Sequence, residues 1–285
     1  MSDSQAQSLL KKAEEKENYK SWFGGNKLDE AYDLYQQAAN GFKLSKNMQQ
    51  AGNAFYKAAQ VAIKLGEKND ASTQFVNASK AFKKVSPQDA INNLKLAIDL
   101  LTEGGRFHAA ANHQKEIANL YETELSDFNQ AMSAYELAAD WYSGEDSNAI
   151  ANSCRLKAAE FAAQLEQYEK AAATFEEVAA SSIDNQLTKW SVKEYLLKAG
   201  LCRMCMGDII GTQRSLRHYE DMDLSFSQTR ECKFLNNLVE SLEAEDVEAF
   251  TNHVYEFDQL TKFDNWKTTL LLRIKKSIGD EPSLT

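Results

Sequence analysis

Ala51-Gly52-Asn53-Ala54-Phe55-Tyr56-Lys57-Ala58-Ala59 decides the fold, because its spacing returns along the whole first part of the chain. An alanine, an aromatic four residues on, and a small pair at offsets seven and eight fall within one ~100° stripe of a helix with 3.6 residues per turn. The same pattern reads as Ala31/Tyr35/Ala38/Ala39, Ala71/Phe75/Ala78, Ala90/Leu94/Ala97, Ala131/Tyr135/Ala138/Ala139 and Ala171/Phe175/Ala179. Further copies are Ala110/Gln114/Ala118, Ala151/Arg155/Ala158/Ala159 and, more weakly, Val192/Leu196/Ala199. Leading positions recur about every twenty residues, one helix plus one turn, so a helix pair repeats at roughly forty.

Alanine on such a stripe lets neighbouring backbones approach, and the aromatic fills the space beside it, much as in tetratricopeptide repeats. The spacing therefore predicts an all-α fold: a TPR-like helical-hairpin solenoid, a twisted sheet of antiparallel helices with a concave face. Joints agree with this division. Gly66 to Asp70, Ser86-Pro87, Gly104-Gly105, Ser126-Asp127 and Ser143 to Ser147 fall between units, where terminal glycines and capping Asp or Ser belong. Pro87 is placed in the first turn of a helix. After about Met206 the period fades, and irregularly spaced helices are predicted near 212–219, 228–242, 247–260 and 266–278. That stretch reads as a helical bundle covering the last apolar face of the solenoid. The division expected is 1–210 for the repeat sheet, with an apolar loop near 19–27, and 211–285 for a C-terminal bundle and tail.

Composition narrows the function. Of 285 residues 43% are hydrophobic, only two are proline and 12 are glycine, which suits helices and not a many-stranded β protein. Four cysteines are too few and scattered for a disulfide framework. No apolar run approaches the ~18 residues of a membrane span, and the start has no basic segment followed by an apolar one, so a cytoplasmic protein is expected. A formal net charge of -10 argues against nucleic acid as the partner. An acidic protein partner would have to be met by local basic patches.

Catalytic signatures are missing. The chain has no P-loop, no G-x-S-x-G, no H-E-x-x-H and no dinucleotide glycine fingerprint. His108, His113, His218 and His253 lack acidic or cysteine neighbours at metal-ligand spacing, so neither a metal nor a cofactor is expected. Cys202-Arg203-Met204-Cys205 matches C-x-x-C but lies in an apolar helical run, where thiols pack as small hydrophobes. The best enzymatic alternative of this architecture, the helical-hairpin subunit of a protein prenyltransferase, needs recurrent Trp and Arg signatures. Trp22, Trp141, Trp190 and Trp266 show no such period.

Several segments go beyond a generic repeat. Ala51-Gly52-Asn53-Ala54-Phe55, Ala81-Phe82-Lys83-Lys84, Pro87-Gln88-Asp89-Ala90-Ile91-Asn92 and Gly105-Arg106-Phe107 are followed by the stretch Ile117 to Leu125, Leu165 to Ala171, Arg230-Glu231-Cys232-Lys233 and Leu271 to Lys276. In order, from Leu10 to Leu284, the chain resembles the soluble NSF attachment proteins, the α-SNAP family. The resemblance implies an adaptor, not an enzyme. Its helical sheet would lie along a SNARE four-helix complex (syntaxin-type and partner SNAREs), several copies per bundle, and its C-terminal bundle would dock on an NSF-type hexameric ATPase that disassembles the SNAREs. ATP would belong to that partner. Periodicity alone would equally suit a generic TPR-like peptide-binding scaffold.

By matched position the resemblance implies SNARE contacts at Lys84, Arg106, Lys157 and Lys193. Asn112 and Ser153 stand where well-known animal members have lysine, with Arg155 near enough to substitute in part. It also implies peripheral membrane contact through Trp22 and Phe23, in the glycine-flanked loop Tyr19 to Lys27. An ATPase contact is implied at the tail, with Asp280 and Glu281 guiding and Leu284 coupling; Pro282 and Ser283 make this tail less acidic than usual. Between Glu240 and Asp264 eight carboxylates are opposed in sequence only by Lys262, a negative field suited to a basic partner groove.

Overall fold

Every leading alanine of the strong and weak repeats up to Ala171 is fully buried: Ala31, Ala51, Ala71, Ala90, Ala110, Ala131, Ala151 and Ala171. Tyr35, Phe55, Phe75, Leu94, Tyr135 and Phe175 beside them are buried too. The positions that broke the pattern, Gln114 and Arg155, are only half-buried. The stripe read from the sequence is thus the packing face in the computed structural model, which describes residues 2–19 and 27–279. Among the described residues there are helices and no strand.

The helices run α1 Asp3–Glu17, α2 Leu28–Leu44, α3 Met48–Leu65, α4 Lys68–Phe82, α5 Pro87–Glu103, α6 Phe107–Leu120 and α7 Phe128–Gly144. They continue with α8 Asn148–Gln164, α9 Tyr168–Ser182, α10 Val192–Cys205, α11 Ile209–Met222, α12 Arg230–Glu243, α13 Val247–Leu260 and α14 Asn265–Gly279. The irregular helices expected after Met206 are all present, the first of them longer than its sequence pattern indicated. By internal contacts the chain divides within α8, into residues 1–154 and 155–285.

In the first unit each helix packs antiparallel on the next. One cluster joins Ala13 of α1, Ala31 and Tyr35 of α2, and Ala58 and Val61 of α3; the next joins Ala59, Phe75 and Ala97 of α3, α4 and α5. Polar links connect alternate helices. Lys64 of α3 lies 2.5 Å from Glu17 of α1, Gln74 of α4 donates to the Tyr32 hydroxyl of α2 at 3.1 Å, and Arg106 at the start of α6 donates to Asn69 of α4 at 3.3 Å. Odd helices therefore form one layer and even helices the other.

Six of the joints share one device. An N–H reaches back five residues to a helix carbonyl: 47 to Phe42, 67 to Ala62, 106 to Leu101, 147 to Tyr142, 167 to Ala162 and 246 to Ser241, all at 2.8–2.9 Å. The residue just before each donor holds a left-handed backbone: Lys46, Gly66, Gly105, Asp146, Glu166 and Glu245, with φ between 53° and 84°. This is the Schellman closure, and glycine meets it without strain only at Gly66 and Gly105. Asn47, Asp127, Asp208 and Asp246 then cap the next helices with their side chains. One joint differs. Tyr121–Leu125 winds as a π-helical turn after α6, and its sequence gave no sign of it.

In the second unit α10 lies at the centre, with Val192, Leu196, Leu197, Ala199, Leu201 and Cys202 at 1% exposure or less. A Cβ on Gly200 would lie 2.8 Å from both methyls of Leu235, so the missing side chain is what lets α12 approach. Helix α14 returns to the start of this unit: Trp266 Nε1 donates to the Glu160 carbonyl at 2.9 Å, and Arg273 donates to the Ala163 and Gln164 carbonyls at 3.1 and 3.3 Å. Arg273 thereby adds a second donor to the Ala163 carbonyl, which also accepts from the Glu166 N–H at 3.1 Å, and supplies one to the Gln164 carbonyl at the end of α8. Cys154, Cys202 and Cys232 are buried and Cys205 half-buried, all as free thiols; burial pushes Cys205 and Cys232 up to about 12. No helix of the described residues is long and apolar enough to cross a membrane.

Candidate functional site

The four basic residues expected to meet a partner all belong to even-numbered helices or their ends, two in each unit. Lys84 follows α4, Arg106 precedes α6, Lys157 is on α8 and Lys193 on α10. In the first unit, Arg106 lies beside the start of α4 through Asn69, whereas Lys84 lies past its end. Fifteen residues of helix, about 22 Å at 1.5 Å per residue, separate the two anchoring points.

Their electrostatic states differ. Lys84 sits 2.5 Å from Glu124, a carboxylate that the π-helical turn aims at it. Its charge is largely answered within the chain. Lys193 is likewise 3.2 Å from the mostly buried Glu231 of α12. Lys157 stands over the Phe161 ring, 6.0 Å from its centroid. Among the described residues Arg106 meets only the neutral Asn69 amide, and no carboxylate there answers its positive charge. Of the positions that depart from lysine, Ser153 is exposed, and Asn112 accepts from the Tyr142 hydroxyl at 2.7 Å while its amide faces His108 Nδ1 at 3.3 Å. Arg155 is half-buried.

Arg106 opens onto a groove of about 180 Å³ between α4 and α6, walled by Val76, Asn77 and Lys80 on one side and Ala109 and His113 on the other. At its rim His113 lies 3.7 Å from Glu116. The nearby His113 ring, aided by Lys83 and Lys80, holds the Glu116 carboxyl below its usual range against the opposing effect of burial.

The sequence did not single out an apolar patch in the second unit. Leu187 is 90% exposed, Trp190 83% and Leu224 80%, and Trp190 lines a cavity of about 390 Å³ with Lys189, Lys193 and Asp223. Large apolar side chains left so open beside a lysine make this a candidate contact surface. The available signal was the joint after α9, where Leu187 and Trp190 stand in place of the polar joint residues used elsewhere.

The acidic field of α12–α14 is smaller than the sequence indicated, because half of its carboxylates serve the fold. Asp246 caps α13, Asp264 accepts both the Lys267 N–H and its ammonium at 2.8 and 3.0 Å, Asp258 pairs with Lys262 at 2.6 Å, and Glu243 accepts from Gln213. Lys262 is therefore not the sole opposing cation. Glu240, Glu245, Glu248 and Glu256 are exposed and have no side-chain partner among the described residues. Trp22, Phe23, Asp280, Glu281 and Leu284 lie outside the described residues. Among the described residues no group of three or more His, Cys, Asp or Glu side chains could hold a metal ion.

Known proteins resemble this chain over nearly its whole length. The family model described as soluble NSF attachment protein, SNAP, matches residues 4–279. The α-soluble NSF attachment protein of Mus musculus is 47% identical over 98% of this chain and 97% of its own. The β-soluble NSF attachment protein of Bos taurus is 50% identical over 90% of this chain and 87% of its own. A vesicular-fusion protein of Coprinopsis cinerea is 46% identical over 99% of both. Among solved structures, a signal-transduction ATPase with a tetratricopeptide repeat sensor from Pyrococcus horikoshii superposes with a TM-score of 0.51 at 13% identity, over 97% of this chain and 42% of that one. That likeness is of fold alone.

Proposed function

The chain belongs to the soluble NSF attachment protein family, and we propose that its even-numbered helices meet the SNARE complex while its C-terminal helices and tail meet the ATPase. Its role is that of a non-enzymatic adaptor in vesicular fusion. The observation that carries this reading is the length of the correspondence: relatives named for NSF attachment and for vesicular fusion align with the repeats and with the C-terminal helices alike.

The division of labour follows the charges. Arg106 and Lys157, with Lys84 and Lys193 exchanging their internal carboxylates for external ones, present cations to the acidic outside of a SNARE bundle. Leu187, Trp190 and Leu224 add apolar contact beside Lys193. Glu240, Glu245, Glu248 and Glu256 offer a negative surface to a basic groove of the hexameric ATPase. Asp280 and Glu281 extend it, and Leu284 supplies a coupling contact. Trp22 and Phe23 touch the bilayer, so that a cytoplasmic protein associates peripherally with the membrane. Residues 1–210 act as the SNARE-facing sheet and 211–285 as the ATPase-facing bundle.

Reconstitution tests the reading. Purified protein, a SNARE complex and an NSF-type ATPase are combined with ATP, and disassembly is followed with and without this chain. Disassembly that needs the chain is expected; a rate that ignores it refutes the adaptor role.

A further inference from the structure

We infer that Lys80, which no matched position marks, is a partner-contacting residue, and that the α4/α6 groove it shares with Arg106 receives acidic side chains of the SNARE surface. The inference rests on the adaptor reading and names the part of that surface where charge is available.

The argument starts from charge that the chain does not answer internally. Lys84 has Glu124 at 2.5 Å, and Lys193 has Glu231 at 3.2 Å. An external carboxylate binding at either must displace one already present, so the net gain there is small. Asn112 offers still less, since its carbonyl takes the Tyr142 hydroxyl and its amide faces His108. Its exposed position is occupied by an internal polar network.

The other flank of α6 is different. Lys80 is exposed and has no ion pair among the described residues, and Arg106 touches only the neutral Asn69. Both line the same groove, with the Asn77 side chain and the His113 ring between them. The charged groups lining it are Lys80 of α4 and Arg106 at the start of α6; Glu116 lies beside His113 at the rim, and Lys83 is close enough to act on Glu116. Glu116 answers one of these three cations. The groove is left with a surplus of positive charge in a chain whose net charge is -10. A concave, cationic strip on an otherwise acidic molecule focuses attraction on acidic partners.

The test compares single substitutions by equilibrium binding of the full-length chain to a soluble SNARE four-helix complex at low and high salt. Lys80→Glu is expected to weaken binding about tenfold at low salt, with the gap narrowing as salt screens the contact. Lys80→Arg is expected to bind as wild type, Lys84→Glu to lose about threefold or less, and Asn112→Ala to bind unchanged. Circular dichroism confirms that each variant stays helical, as exposure of all three positions leads one to expect. If Lys80→Glu binds as wild type while Lys157→Glu loses binding, the groove is not the reader and the adaptor reading stands. If Lys84→Glu loses more than Lys80→Glu, the argument from unanswered charge is wrong. If the unaltered chain does not bind the complex, the adaptor reading fails and the inference fails with it.

Discussion

The two units of this chain are held together by different means. Residues 1–154 repeat one solution, alanine against backbone with an aromatic beside it, and most of their contacts join helices adjacent in sequence. Residues 155–285 depend on polar side chains that reach far along the chain: Arg273 and Trp266 bind carbonyls more than a hundred residues earlier. Glu176 of α9 there receives two hydrogen bonds from Arg203 of α10, at 3.0 and 2.8 Å, and a third from the buried Tyr219 hydroxyl of α11. A repeat distributes stability among many equivalent neighbours, whereas an irregular bundle concentrates it in a few groups.

The comparison breaks most sharply at Glu176. Glu176→Ala leaves the Tyr219 hydroxyl buried without an acceptor and Arg203 with Glu169 alone. A loss of about 3 kcal/mol is expected, since unpaired buried polar groups bear the full desolvation penalty. Hydrogen exchange resolves where it falls: protection should drop across α9 to α11 and hold in α1 to α6. Equal loss in both units would show that the difference between them is not real.

A steric change should hurt the first unit less. At Gly52 a Cβ would lie 2.6 Å from the ring of Phe82, which is 3% exposed. Gly52→Ala should destabilise by about 1–2 kcal/mol despite alanine's better helix propensity, because the ring has little room to retreat. Urea unfolding measures it. A neutral or stabilised variant would mean that the repeat absorbs strain by sliding its helices.

This contrast also explains how much the sequence could show. The alanine stripe was legible because helix period and packing face coincide, as at Ala51, Phe55 and Ala58. The joints were legible where Gly66 or Asp127 supplied the local chemistry, and opaque at the π turn of 121–125, whose geometry depends on Glu122 and Glu124 finding Tyr135 and Lys84. Candidate cations were recognisable as residues, but their charge balance was not. Whether Lys84 is answered by Glu124, or Asn112 by Tyr142, depends on pairs 30 to 40 positions apart. The acidic run after Glu240 misled for the same reason, since capping and pairing consume half of it.

Acid should sharpen the comparison within the first unit. Burial raises the Glu17 carboxyl, but hydrogen bonds from Lys64 and Tyr35 outweigh it and hold the group below its ordinary 4.5. A carboxyl depressed in the folded state contributes stability that is complete above its unfolded value and lost as pH falls through its folded one. Attachment of α1 should therefore weaken only below about pH 4.5. Tyr35→Phe, which removes one of the two donors, should cost about 1 kcal/mol at neutral pH and shrink the acid effect. Unfolding curves at neutral and acidic pH check both.

The smallest effect concerns the joints themselves, where the same backbone requirement is met by residues of different use. Lys46 and Glu166 both hold left-handed conformations, with φ of 63° and 62°, in otherwise equivalent closures. A non-glycine residue pays about 1 kcal/mol or more for that conformation, while glycine gives back part of the gain through its greater freedom when unfolded. Lys46 has no side-chain partner among the described residues, so Lys46→Gly should stabilise by about 0.5 kcal/mol. Glu166 lies 3.7 Å from Arg273, the residue that ties α14 back to α8. Glu166→Gly relieves the same strain but removes that contact, and its net gain should be near zero. Urea midpoints for the two variants decide the matter. A clear gain at both positions would mean that the Glu166 carboxylate adds nothing to the anchoring of α14, which then rests on the carbonyls that Arg273 binds.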